Sequence, residues 1–150
     1  MSVEVLKVEA GTELAEKLLR FVENSSWEEV REHTAALIRE NRFEDWESMF
    51  AAVEGERIVG HASFMKTDYY PIDDIYPWIS TVFVTEDCRG RGICGLMIER
   101  INRYAKELGF RRTYIPSEIK GLYERYGYRP VKDIVNYAGG TSRLFVKELE

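Results

Sequence analysis

The chain is poor in the residues that build stapled or metal-bound proteins. Two cysteines, Cys88 and Cys94, are too few for a disulfide framework. Two histidines, His33 and His61, stand far apart; His33 has a glutamate four residues before it but no other metal-type ligand nearby, so no metal site is expected. No apolar run approaches the ~20 residues that span a bilayer. The opening Met-Ser-Val-Glu-Val-Leu-Lys has no basic stretch ahead of an apolar one, so a signal peptide is not expected. Repeats, low-complexity tracts and linkers are missing as well. Lys and Arg number 21 against 26 Asp and Glu, and that net charge of −5 lacks the basic face a general nucleic-acid surface needs. It is compatible with a cationic substrate such as an amine. These absences leave a cytoplasmic protein with neither membrane nor nucleic-acid partners as the expectation.

What is present suits one folded domain over residues 1–150: 45% apolar residues for a core and 31% charged residues for a solvated surface. Val3, Val5 and Val8 read as a first strand. Thr12 is placed to cap a helix carrying Leu14, Leu18, Phe21 and Val22 at helical spacing. After the Asn24-Ser25-Ser26 break, Ser26 with Glu29 reads as a capping box for a second helix, with Trp27, Val30, Thr34, Leu37 and Ile38 on its apolar face. Residues 48–54 and 57–66 flank Gly55-Glu56 as a hairpin. A polar, aromatic loop (67–77) follows, then a β-branched and aromatic strand from Trp78 to Thr85. A glycine-rich turn, 88–92, leads into a helix reaching Leu108, with Cys94, Met97, Ile98, Ile101, Ala105 and Leu108 facing inward. Residues 112–115 read as a short strand. Pro116-Ser117 leads toward a short helix that Gly127 stops, and 128–137 and 141–149 read as a closing antiparallel pair. The order predicts an α/β (α+β) fold: one mixed, mostly antiparallel central sheet with helices on both faces.

The strand, glycine turn and helix of 82–108 carry the chemistry. Gly90 and Gly92 lack side chains, so an anion can approach the backbone closely. The first amides of the following helix have no intrahelical acceptor, and the helix dipole adds positive potential. Arg89 and Arg91 add full charges. Together these make a diphosphate site. Gly90-Arg91-Gly92-Ile93-Cys94-Gly95 also satisfies the G-x-G-x-x-G string of dinucleotide folds. That motif, however, lies mid-chain, and the acidic residue due ~20 positions on is replaced by Phe110-Arg111-Arg112. Arginine there leaves an NADP oxidoreductase as a rival.

The segment from Val82 to Cys94, with Arg89-x-x-Gly92-x-Cys94 opening a helix, resembles the acetyl-CoA motif of the GNAT superfamily of N-acetyltransferases. Tyr123-Glu124-Arg125-Tyr126-Gly127-Tyr128 is similar to the family's tyrosine, three residues, glycine, aromatic signature. The two have the family's usual separation, and the element order agrees along nearly the whole chain. The resemblance implies an acetyl-CoA-dependent N-acetyltransferase of GNAT-type fold. Its implied roles are these. The backbone of Phe83 and Val84 would hydrogen-bond the pantetheine arm, and amides of Arg89, Gly90, Arg91, Gly92, Ile93, Cys94 and Gly95 would hold the pyrophosphate. Tyr123 would be general acid for the leaving thiolate. Homodimers are common among such relatives, and a sensor that binds acyl-CoA without turnover is a second reading on the same fold. Cys94 departs from the usual Gly or Ala, and Ile115-Pro116-Ser117-Glu118 lacks the asparagine often found before the last short helix.

The acceptor side is read from chemistry alone. A primary amine on a small molecule or peptide, with a lysine-like pKa of about 10.4, must lose a proton before attack. Asp73, Asp74 and Glu86 are the nearby carboxylates, and Ser80 is a relay candidate. Trp27, Tyr69, Tyr70, Tyr76 and Trp78 are candidates for pocket wall, core or dimer interface. Tyr126 and Tyr128 read as core or pocket wall, and Cys88, Cys94 and His61 as structural. Cys94, at a helix start, would be redox-sensitive if its pKa were lowered there.

Overall fold

A computed structural model describes residues 2–119 and 121–150. The elements are β1 (Val3–Val8), α1 (Glu13–Glu23), α2 (Glu28–Arg39), β2 (Ser48–Glu54), β3 (Arg57–Met65), β4 (Trp78–Val84), α3 (Ile93–Glu107), β5 (Arg112–Ser117), β6 (Arg129–Val135) and β7 (Thr141–Glu148). Single 3₁₀ turns stand at Glu86–Cys88 and Tyr123–Tyr126. The strands form one seven-stranded sheet in the order β1-β2-β3-β4-β5-β7-β6. The β1–β2, β5–β7 and β6–β7 pairs are antiparallel, and β4–β5 is parallel. The expected mixed, mostly antiparallel sheet is therefore present.

The chain divides into two compact units. The first holds residues 1–63 and 81–97; the second holds 64–80 and 98–150. In the first unit, Thr12 caps α1 as its sequence predicts: Thr12 Oγ1 accepts the Ala15 N–H at 3.2 Å. Leu18 and Val22 turn inward and pack with Ala35 of α2 and Met49 and Ala51 of β2. The N-cap of α2 falls one residue beyond Ser26, its place in the sequence reading. α2 begins at Glu28 with Trp27 at the N-cap and no side-chain cap, and the Ser26 carbonyl instead accepts the Glu28 N–H at 3.1 Å. Tertiary packing decides this: the Trp27 indole stacks on Phe83 with ring centres 6.2 Å apart and planes at 19°. The side chains of Glu29 and Val30, which that reading also used, lie outside the described residues. Neighbouring residues on β3 then serve opposite faces. His61 meets Phe21 of α1 (6.0 Å, edge-on), whereas a Cβ at Gly60 would meet Met97 of α3.

The second unit has its own core of Tyr70, Trp78, Ile134 and Leu144. Tyr70 and Trp78 stack at 5.7 Å with planes 3° apart, and the Tyr70 hydroxyl donates to Ser142 Oγ at 2.8 Å. These two aromatics are thus core. Sequence periodicity stopped β5 at Ile115, but the strand runs through Pro116 and Ser117, paired with Leu144 and Arg143 of β7. The Tyr114 N–H donates to the Pro77 carbonyl at 3.0 Å, so the nitrogen two residues on points the same way. That nitrogen belongs to Pro116 and has no hydrogen to give. The β4–β5 ladder accordingly consists of one pair, Trp78 with Tyr114. The inward-facing reading of Leu108 is corrected: it is 45% exposed, because α3 ends at Glu107 and Gly109 turns the chain at φ 93°.

Candidate active site

The glycine turn and the helix start lie wholly in the first unit. Gly90 and Gly92 sit at φ 82° and 79°, a left-handed conformation that glycine adopts without a steric penalty. A Cβ at either would meet nothing within 4 Å. Protein packing therefore does not require glycine there; backbone conformation and open space above the turn do. The Leu96 N–H to Gly92 carbonyl bond (3.1 Å) opens the α3 ladder. The amides of Ile93, Cys94 and Gly95 precede it and face the turn at the positive end of a 15-residue helix with no acidic residue in its first turn. This arrangement fits a diphosphate.

The two arginines do something more specific than add charge. Arg89 folds back on β4: its Nε donates to the Val84 carbonyl at 2.9 Å, and its guanidinium lies 5.6 Å from the Phe83 ring centre. Arg91 is ion-paired with Glu54 at the end of β2 and touches Cys88 Sγ at 3.7 Å. The guanidinium holds the Glu54 carboxyl below its ordinary range. Arg57 reaches Asp87 at 2.9 Å and Cys88 Sγ at 3.8 Å, and depresses Asp87 in the same way. The turn is thus braced by side chains. The expectation that the Arg89 amide holds the pyrophosphate is corrected, because that N–H donates to the Glu86 carbonyl at 3.5 Å.

For Cys94 the lowered-pKa alternative fails. Burial pushes its thiol up to about 11, so desolvation outweighs the helix-start position and no reactive thiolate forms. It is a small, half-buried, neutral group beneath the turn. Cys88 is buried, and neither cysteine is in a disulfide.

Phe83 is the hub of an aromatic cluster that sequence reading missed. Trp27 and His61 stack on it, and Phe21 meets it edge-on at 6.1 Å. Its carbonyl lies against Gly60, where a Cβ would come within 2.7 Å of it and 3.3 Å of Met97 Cε. Gly60→Ala will therefore push β4 away at Phe83. It should cost about 1–3 kcal/mol, as overpacking does, and lower the urea midpoint of unfolding. An unchanged midpoint would show that the contact relaxes freely. A groove of about 740 Å³ opens beside this cluster, with Arg20, Phe21, Ser26, Arg57, Phe83 and Glu86 among its walls.

His61 is fully buried, and burial pushes it down to about 4, so it is neutral at physiological pH. Its Nδ1 has no hydrogen-bond partner. Sequence reading also missed Thr81, which has φ 48° in the middle of β4. No local signal announces it, because β-branched residues avoid that region.

Tyr123 lies in the second unit. It opens the 3₁₀ turn, is buried, and sits edge-on to Tyr128 (6.3 Å, 69°) and beside Phe145 (6.3 Å). Gly127 at φ 91° ends the turn, and the Tyr128 N–H returns to the Tyr123 carbonyl at 3.2 Å. Tyr128 is fixed by a buried triangle: its hydroxyl is 3.0 Å from Asn102 Nδ2 and 2.7 Å from Thr113 Oγ1, which donates to Asn102 Oδ1 at 2.7 Å. Tyr128 is therefore core, and Tyr126, half-buried, gives its carbonyl to Lys147 Nζ at 2.8 Å. Ser80 is buried, while Asp73, Asp74, Tyr69 and Tyr76 are exposed, all in this unit. Glu86 and His33 are exposed in the first unit. Among the described residues, no three His, Cys, Asp or Glu side chains group as a metal site, and no helix is long and apolar enough to cross a membrane.

The model of the acetyltransferase (GNAT) family matches residues 12–128. No curated protein is similar enough in sequence to match. Among solved structures, the chain is similar to an aminoglycoside 6'-acetyltransferase type Ii, at TM-score 0.76 and 16% identity over 98% of this chain and 97% of that one. It is similar to a GNAT family acetyltransferase from Elizabethkingia anophelis with acetyl-CoA bound, at TM-score 0.67 and 17% identity over 98% of each chain. It is also similar to an aminoglycoside 6'-N-acetyltransferase complexed with coenzyme A, at TM-score 0.74 and 14% identity over 98% and 97%. At such identities the structures show a shared fold, and the family match covers well over half of the sequence. The chain belongs to the acetyltransferase (GNAT) family, so its reaction is acetyl transfer, with acetyl-CoA as donor and an amine as acceptor.

Proposed function

We propose that residues 1–150 act as a single transferase domain that moves an acetyl or short acyl group to the primary amine of a small molecule or peptide. The observation that carries the donor half is the turn at Gly90 and Gly92, left-handed and open above the backbone, at the start of α3. The amides of Gly90, Arg91, Gly92, Ile93, Cys94 and Gly95 hold the pyrophosphate. The pantetheine arm is received at the Val84 amide and not at Phe83, because the Phe83 carbonyl lies against Gly60 of β3 and the Val84 carbonyl is taken by Arg89 Nε. The family match runs through sequence from both compact units, which supports the single-domain reading. Two similar structures are aminoglycoside acetyltransferases, which supports a small-molecule amine as acceptor.

The neutral amine attacks the thioester carbonyl carbon, a C–N bond forms, and the C–S bond breaks. The amine's surplus proton leaves to a carboxylate or a water chain, with Ser80 as relay. A β4 amide near Val84 stabilises the oxyanion. The Tyr123 hydroxyl gives its proton to the departing thiolate. The enzyme works in the cytoplasm, as a homodimer to which the exposed Tyr69 and Tyr137, packed at 5.7 Å, offer an aromatic surface.

The test is thiol release from acetyl-CoA against a panel of amines, with wild type beside Tyr123→Phe. Turnover should fall about 10²-fold in the variant, with the Kd for acetyl-CoA unchanged. Tight acetyl-CoA binding with no thiol release for any amine would instead make the protein a sensor.

A further inference from the structure

Thr81 has φ 48° inside β4. A β-branched residue in the left-handed region is a genuine outlier, and such strain persists only where the surroundings over-determine it. Two buried polar side chains of β3 meet this residue. Thr81 Oγ1 donates to Ser63 Oγ at 3.0 Å, and the His61 ring hydrogen-bonds the Thr81 backbone. His61 and Ser63 are two apart on β3 and so share a face. The same His61 ring stacks on Phe83, with centres 5.6 Å apart and planes at 25°. It thus holds β4 at the left-handed residue and again two residues on. Apolar side chains would fill these positions at less desolvation cost, and core packing gives no reason for a histidine whose Nδ1 is left without a partner.

A single left-handed residue in a strand redirects every backbone group that follows. We infer that His61 and Ser63 are positioning residues of the acyl-transfer site: they hold Thr81 left-handed and so set the course of β4 that aims the Val84 amide at the donor. This rests on the assignment of Val84 to the pantetheine arm made above. Neither side chain touches substrate in this role. Both act through Thr81.

The role is separable from general packing because glycine reaches positive φ unaided. The test compares wild type, His61→Phe with Ser63→Ala, and that double variant carrying Thr81→Gly. Phenylalanine keeps the ring stack and loses the hydrogen bond. Two readings are taken: the amide-to-Hα coupling of Thr81 by NMR, which reports its φ, and kcat and KM for acetyl-CoA. The double variant should lose the left-handed coupling, and its kcat/KM should fall about 10²-fold, as expected for a misplaced reacting group. Adding Thr81→Gly should restore most of that loss, which a purely structural defect would not allow. Should the double variant fail to fold, Ser63→Ala alone gives the same two readings. A Thr81 that keeps its coupling without its supports overturns the inference, and so does a loss that glycine does not repair. Absence of acetyl-CoA turnover in wild type would overturn the donor assignment instead, and the Thr81 coupling would still decide whether His61 and Ser63 set the strand.

Discussion

Aspartate at position 92 will abolish the thermal stabilisation that acetyl-CoA gives the wild-type protein. Two effects act in the same direction. The residue must hold φ 79°, which glycine does freely and an L-residue does under strain. Aspartate tolerates that region better than most residues, so the fold should survive and the second effect can be isolated. That effect is electrostatic. The new carboxylate enters the open space above the turn, where a Cβ meets nothing within 4 Å, and repels a diphosphate at the start of α3. The nearest guanidinium cannot easily offset it, because Arg91 is already paired with Glu54. Saturation at about 100 times Kd stabilises a folded protein by about 2.7 kcal/mol. For a domain of this size, that is a shift of about 5–10 °C. Scanning fluorimetry of both proteins with and without acetyl-CoA should show the shift in wild type only. A shift of equal size in Gly92→Asp would move the pyrophosphate off this turn.

The sequence made much of this architecture legible, and its failures have physical causes. Thr12 caps α1 because a threonine hydroxyl satisfies a helix amide without outside help, and the Gly55-Glu56 hairpin is equally local. The N-cap of α2 falls on Trp27 and not on Ser26, and Trp27 is held by a long-range contact, its stacking on Phe83 across more than fifty residues of sequence. Pro116 reads locally as a strand breaker. It stays in β5 because β7 pairs one edge and its missing hydrogen falls on the other, where the ladder with β4 ends. Within the candidate site, glycine spacing announced the turn, since glycine takes its φ values without strain. The anchoring of Arg89 on the Val84 carbonyl and of Arg91 on Glu54 was invisible, because both partners are brought in by folding. Cys94 shows the limit most clearly: its place at a helix start suggests a lowered pKa, but burial, which no local pattern records, raises it.

His61 makes the folded protein acid-sensitive in a window set by one side chain. In the unfolded chain its imidazole takes a proton near 6.5; in the folded protein burial holds it neutral down to about 4. Between these values the unfolded state binds one more proton, so stability falls as pH falls from 6.5 toward 4. Above the window both states are neutral, and below it both are charged, so the contribution is level on either side. The gap corresponds to about 3 kcal/mol. The local chemistry explains its size. A proton arriving at Nδ1 would create a buried charge and a donor with no acceptor, among the rings of Phe21 and Phe83. Glu54 and Asp87, held low by Arg91 and Arg57, also lose stability on acidification. Those pairs are exposed and solvent-screened, and a change at His61 leaves them in place. Urea unfolding of wild type and His61→Phe at several pH values therefore isolates the histidine. The wild type should lose about 3 kcal/mol more than the variant across the window, whatever the offset between the two at pH 7. Parallel curves would mean that His61 is already protonated in the fold near its ordinary pKa, with an acceptor found for Nδ1.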